Sequence, residues 1–223
     1  MKRAKEKISF HVMLRYELAK LIREAILNGE YQQGDRIPEE EISRKLGVSR
    51  TPVREAILIL QQENLLEVRP RYGVFVRSFS NEELIDLIQV TVVNHGLAAY
   101  LAAQRITDKQ INQLRKLVRE LEESKNLDWK TFRNNDRKFH STIIKISNSP
   151  ALSNILENQN SQIILARFYP VTYPERANRS TEEHKEIVEC LARRDPNSAD
   201  KTMRNHINSA LQDFVEKVSS EKA

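Results

Sequence analysis

Asp136 and His140 stand four residues apart in a stretch whose apolar positions, Phe132, Ile143 and Ile144, recur at helical spacing. A carboxylate and an imidazole so placed project from one helix face, the face that also points inward. His184 shares its stripe with Ile187, Val188 and Leu191, and His206 shares one with Met203, Ala210 and Phe214. A buried carboxylate is costly without a partner. Two chemistries answer that need. In one, Asp136 bonds His140 and the other histidines are satisfied core residues, which is the commoner fate of any single histidine. In the other, three neutral imidazoles and one anionic oxygen, carried on three helices of one bundle, form a mononuclear metal site. Four inward polar groups together favour the second. Mixed nitrogen and oxygen donors suit a divalent zinc, nickel, manganese or iron ion. The lone cysteine, Cys190, excludes an internal disulfide and an all-cysteine metal site, and its neighbours Ile187 and Leu191 make it a small core residue.

A second set of reactive groups is a pair of arginines. In the run from Gly47 to Ala56, Gly47 supplies the turn that stops one helix, Ser49 or Thr51 can cap the next, and Pro52 fits its first turn. Val53, Ala56, Ile57 and Leu60 give this second helix a buried stripe as far as about Glu63, which leaves Arg50, Thr51 and Arg54 together at its exposed start. Two surface arginines at a helix start are common. On a recognition helix, however, each can donate two hydrogen bonds to guanine O6 and N7, a fork that lysine cannot reproduce. The residues that follow support that setting. Asn64 to Arg69 and Gly73 to Arg77 are β-rich runs around Pro70-Arg71-Tyr72, and they predict a hairpin with Arg69 and Arg71 beside Gly73 at its tip. Basic groups there can reach phosphates or the minor groove.

The elements that must position these groups are legible in outline. Residues 1–10 read as a polar, mobile arm, with His11 solvated beside it. Leu14, Leu18, Leu21, Ile22 and Ala25 mark a helix ended by Asn28-Gly29, and Glu39 to Leu46 mark a short second one. Three helices and a hairpin make a winged helix-turn-helix domain, expected over residues 1–78. From Ser80, which forms a capping box with Glu83, the pattern becomes wholly helical. Helices are expected to about Gln104, from Thr107, from about Trp129 to Ser147, from Pro150 to near Tyr169, over roughly Ser180 to Arg194, and from Asp195-Pro196 to about Val218. The fold class is therefore mainly α, with a small β-hairpin wing and a C-terminal all-α bundle of about six helices over residues 79–223.

Charge agrees with this division. Residues 1–78 hold 15 lysines and arginines against 11 acidic residues, +4 of the formal +5, so the positive field belongs to the part that would meet phosphates. With 39% apolar residues, no signal-peptide pattern after the basic N-terminus and no apolar run of membrane-spanning length, a soluble cytoplasmic protein is expected.

Residues 12–78 resemble the winged-helix domain of the GntR family of bacterial transcription regulators, above all in Gly47-Val48-Ser49-Arg50-Thr51-Pro52-Val53-Arg54-Glu55-Ala56. The resemblance implies that Arg50 and Arg54 read an operator, with Ser49, Thr51, Arg69, Arg71 and Gly73 assisting. Members of the branch often carry a DNA-contacting arginine in the second helix, and here Glu40 stands at the matching position. Residues 80–218 look like the helical effector-binding domain of the FadR-like branch, called FCD. Its metal-binding members carry an Asp-x-x-x-His pair, a histidine in a Glu-His-x-x-Ile context and a histidine in the last helix. Asp136-Arg137-Lys138-Phe139-His140, Glu183-His184-Lys185-Glu186-Ile187 and His206 match these in turn, which implies Asp136, His140, His184 and His206 as ligands of one metal ion. Relatives hold a small carboxylate effector with the metal and nearby polar groups. Arg167 is a candidate second anchor, its other role being a surface charge. Where many relatives have an arginine and then a glutamate on the first bundle helix, this chain has Thr91 and His95, which could line the pocket or, for His95, a dimer interface.

The expectation is a homodimeric, non-enzymatic transcription regulator that binds a short inverted repeat in double-stranded DNA and responds to a small carboxylate. Two other readings compete. A metal-dependent enzyme with a basic docking domain would use the Asp/His site to activate water, but the chain has no His-Glu-x-x-His motif, no phosphate-cradling glycine loop and only five glycines. A structural DNA-binding protein would use the bundle only to dimerise.

Overall fold

The computed structural model describes residues 2–124, 128–166 and 175–220. Its elements in chain order are α1 (Lys2–Leu27), α2 (Glu39–Leu46), α3 (Arg50–Gln62), β1 (Leu66–Arg69), β2 (Gly73–Val76), α4 (Asn81–Arg105), α5 (Asp108–Ser124), α6 (Trp129–Ile146), α7 (Pro150–Leu165), α8 (Glu175–Ala192) and α9 (Pro196–Ser220). The described residues fall into two compact units, one of residues up to 80 with 160–166, the other comprising the rest.

In the N-terminal unit α1, α2 and α3 pack around Leu18, Ile22, Ile26, Val53, Leu60 and Leu65, with Val74 and Val76 closing the core from the hairpin. Leu165, at the end of α7, belongs to the same cluster, and Gln162 Nε2 donates to the Glu63 carbonyl, which is why this last turn counts with the first unit. The antiparallel pairing runs from Leu66 opposite Val76 to Arg69 opposite Gly73. Residues 31–38, which join α1 to α2, lie along β2. Gly34 and Ile37 donate to the Val76 and Val74 carbonyls, and Arg36 bridges Phe75.

One expectation fails here. The stretch read as an arm is helical from Lys2. No glycine or proline interrupts the first 28 residues, and lysine, alanine, glutamate and arginine are strong helix formers, so a helix nucleated by the apolar stripe continues backward. His11 lies on this helix.

In the C-terminal unit the core is built from Leu114, Leu121, Phe139, Ile143, Ile187, Leu191 and Met203, against the small face of α4, where Ala98, Ala99, Ala102 and Ala103 are fully buried. Small residues let α9 run close along α4. A Cβ added at Gly96 would meet Arg204 Nε at 2.7 Å and collide with the carboxylate of Asp200, which pairs with Arg204. By length and hydropathy alone α4 also qualifies as a membrane span, contrary to the expectation that no run would, yet nine of its residues are buried inside the bundle.

The helix starts are chemically explicit. Thr107 and Gln110 cap α5 reciprocally, Asp128 accepts from the Thr131 N–H at 2.8 Å at the start of α6, and Asp195 accepts from the Ser198 N–H at 3.1 Å at the start of α9. Among the described residues α8 begins at Glu175, five residues before the expected Ser180, a difference that brings Arg176 and Arg179 onto the helix.

Candidate functional site

Asp136 and His140 come from α6, His184 from α8 and His206 from α9. The helices bring one ligand atom of each to within 4.8 Å of the others. His140 Nε2 lies 3.3 Å from His184 Nε2 and 3.2 Å from His206 Nε2, while Asp136 Oδ1 is 3.3 Å from His184 Nε2 and 3.8 Å from His140 Nε2. His184 is fully buried and His206 nearly so. The three imidazoles pack as a cluster, His140 stacked on His206 with centroids 5.1 Å apart, and Phe139 closes one side edge-on to His184.

Protonation states follow from this burial. Desolvation lowers His140 to about 4, with the Arg176 charge adding to it, and lowers His184 and His206 well below the usual imidazole range. Desolvation also raises Asp136 to about 7, with Glu183 adding to the shift and Arg176 opposing it. Neutral imidazoles are what a metal ion requires. His206 Nδ1 is 2.7 Å from Glu183 Oε2, so its ring proton sits on Nδ1 and its Nε2 presents a bare lone pair. A proton on His140 Nε2 can serve only one of its two imidazole neighbours, and Nδ1 of both His140 and His184 is buried with no hydrogen-bond partner among the described residues. A cation at the centre satisfies all four inward atoms at once. Donors about 2.1 Å from a common ion sit roughly 3.0–3.4 Å apart when adjacent, and the ring-nitrogen separations fall in that range. The residues present therefore fit a divalent metal ion.

Behind the four lies a support that the sequence reading missed. Arg176, nearly fully buried, donates Nη1 to Glu183 at 3.1 Å and to Ser209 Oγ at 2.9 Å, and Nη2 to the His206 carbonyl at 3.3 Å; its Nε is 3.6 Å from Asp213. A buried guanidinium held by two carboxylates thus fixes Glu183, and Glu183 fixes His206. The only signal in the sequence was an arginine sharing the inward stripe of His184 at positions 176, 180 and 184.

The tentative effector residues divide. His95, on α4, faces the cluster, its ring edge-on to His140 at 5.2 Å, and desolvation lowers it to about 3. Thr91 is buried, but its hydroxyl donates to the Leu87 carbonyl at 2.8 Å and so spends its only proton on its own helix. Arg167, and the end of the fourth bundle helix expected near Tyr169, lie outside the described residues.

In the N-terminal unit the turn is closed by Gly47 at φ +64°, a left-handed position natural to glycine, with the Val48 N–H returning to the Ser43 carbonyl. Ser49 is the N-cap of α3 by position, without a side-chain cap bond. Arg50, Thr51 and Arg54 are exposed at the start of α3, as expected. Arg50 pairs with Glu40, and Arg54 Nε is 3.2 Å from Glu39 Oε2. On the wing, Arg71 is exposed at φ +69° beside Gly73 at φ +113°. Arg69 is turned onto the hairpin, 2.6 Å from Glu67 and stacked 4.4 Å from the Phe75 ring centre.

Residues 14–76 match the model of the bacterial regulatory proteins of the gntR family, and residues 95–209 match that of the FCD domain. The chain is 30% identical over 186 residues to the Nta operon transcriptional regulator of Aminobacter aminovorans, covering 83% of this chain and 87% of that one. It is 27% identical over 190 residues, 84% of each chain, to an uncharacterized HTH-type transcriptional regulator, YdhC, of Bacillus subtilis. Among solved structures, E. coli McbR/YncC shares the fold at a TM-score of 0.76 and 21% identity, over 92% of this chain and 98% of that one. With its winged reader and its helical unit both matched, the chain belongs to the GntR family of transcription regulators, in the branch that carries an FCD domain, and is a DNA-binding regulator, not an enzyme.

Proposed function

We propose that this regulator binds one divalent transition metal ion per chain through Asp136, His140, His184 and His206, and that a small carboxylate bound at this pocket modulates its affinity for an operator. The observation that carries the reading is the convergence of four uncharged-or-anionic donors, one of which, His206, is oriented through its outer nitrogen by Glu183 and, behind it, Arg176. When bound, the metal would supply positive charge for the acid's carboxylate. His95 faces the same cluster and would line the effector pocket.

The DNA side rests on Arg50 and Arg54 as base readers, with Ser49, Thr51, Arg69, Arg71 and Gly73 contacting backbone and groove. Residues 1–78 are the reading domain and 79–223 the effector and dimerisation domain, in a cytoplasmic homodimer whose two readers meet a short inverted repeat. Effector binding shifts the bundle between two arrangements, to an extent limited by its differential affinity for them.

The test is the melting temperature of the purified protein with and without chelator across a panel of small carboxylic acids. A fall on chelation, and a rise with one acid only when metal is present, supports the pocket. Indifference to both would reduce the cluster to a polar core and leave DNA binding alone.

A further inference from the structure

The first turn of α2 is three consecutive glutamates, Glu39, Glu40 and Glu41, and the first two are paired with the two arginines at the start of α3. Glu40 meets Arg50, and Glu39 Oε2 lies 3.2 Å from Arg54 Nε. These residues line one open cleft together with Arg36 and with Gly73 at the tip end of the wing hairpin. A carboxylate therefore stands beside each guanidinium on the face that a duplex approaches.

Such a placement lowers affinity unless it does something else. Arginines left alone at a protein–DNA interface accept any phosphate, which adds binding without sequence information. A carboxylate at the same place repels phosphates and, being an acceptor only, needs a donor opposite it. In the major groove the donors are the amino groups of cytosine and adenine, and a G·C pair presents guanine O6 and N7 next to the cytosine amino group. An arginine donating to the guanine and a glutamate accepting from the cytosine match that pattern across one base pair.

We propose that Glu40, with Glu39 beside it, is a specificity-determining residue: it orients Arg50 toward base edges, turns phosphates away, and accepts from a cytosine amino group in the operator. The inference rests on the assignment of Arg50 as a base reader. The Arg50–Glu40 pair is exposed, its side chains retaining 59% and 73% of their accessible surface, so it contributes little to folding and can be changed without unfolding the domain.

The experiment uses the full-length protein and two duplexes of equal length, one recovered by the wild type from a randomised pool and one of random sequence. Dissociation constants are measured across salt concentrations for the wild type, Glu40→Gln and Arg50→Ala. Glu40→Gln is expected to bind the random duplex about threefold or more tightly, to lose about tenfold in the ratio of selected to random affinity, and to steepen the salt dependence by roughly one phosphate contact. A fresh selection with Glu40→Gln should relax one G·C position. An unchanged affinity ratio and an unchanged selected sequence in Glu40→Gln, while Arg50→Ala abolishes discrimination, overturns the role of Glu40 and leaves the reading helix intact. Undiminished discrimination in Arg50→Ala overturns the underlying assignment of Arg50 and this inference with it.

Discussion

Glu183 Oε2 lies 2.7 Å from His206 Nδ1, which makes the residue before one proposed ligand the orienting partner of another on a different helix. A metal-bound imidazole is a stronger ligand when its far N–H donates to a carboxylate, and losing that partner costs about 10–100-fold in metal affinity. Glu183→Gln, which keeps the shape and removes the charge, should weaken metal binding by that factor with the fold retained. Competition with a chromophoric chelator reads it. An unaltered affinity would mean that the contact is structural only.

The buried titrating groups predict opposing pH dependences in the metal-free protein. Asp136, raised to about 7, binds its proton more tightly folded than unfolded, so its contribution to stability is present below the unfolded carboxylate range and is lost as pH rises through about 7. His140, lowered to about 4, does the reverse: its neutral burial destabilises the fold as pH falls below 6.5. Asp136→Asn removes the first effect alone. Without metal, the variant should melt above the wild type at pH 8 and converge with it near pH 4; with metal present at pH 8 the order should invert. A melting difference that ignores pH would contradict the burial argument.

His140 is the atom-level hub of the cluster, with its Nε2 near all three other donors. Its replacement by alanine should abolish metal occupancy while the winged unit stays folded, because that unit has a hydrophobic core of its own. Elemental analysis of the purified variant gives the first result and the operator titration the second. Full occupancy in the variant would show that the metal sits elsewhere.

Arg54→Ala should weaken binding to a selected operator by about 1–3 kcal/mol and relax the preference at one base position. Because Arg54 is also tied to Glu39, the loss combines a missing base contact with a newly unpaired carboxylate at the interface. A titration at fixed salt that is indistinguishable from wild type would remove this arginine from the reading surface.

Short-range rules carried much of this protein. Gly47 and its turn, the helix starts at Thr107 and Asp195, and the shared face of Asp136 and His140 all depend on residues within about four positions of one another, and each is present. The same logic misplaced the first helix, because polar residues with high helix propensity resemble an arm until an adjoining apolar stripe extends them. It also placed the three histidines correctly as inward-facing, since burial of a stripe follows from periodicity alone. What periodicity cannot supply is the rotation and axial offset of one helix against the next. Those depend on the alanine face of α4, on Gly96 against Asp200 and Arg204, and on the packing of Phe139 and Met203, all separated by tens of residues. Only that packing brings Nε2 of His140 to 3.2 Å from that of His206 and sets Glu183 and Arg176 behind them, as the packing of α2 on α3 seats Glu40 beside Arg50 in the winged unit; residue type and local spacing determined the available donors, and tertiary contact decided which of them meet.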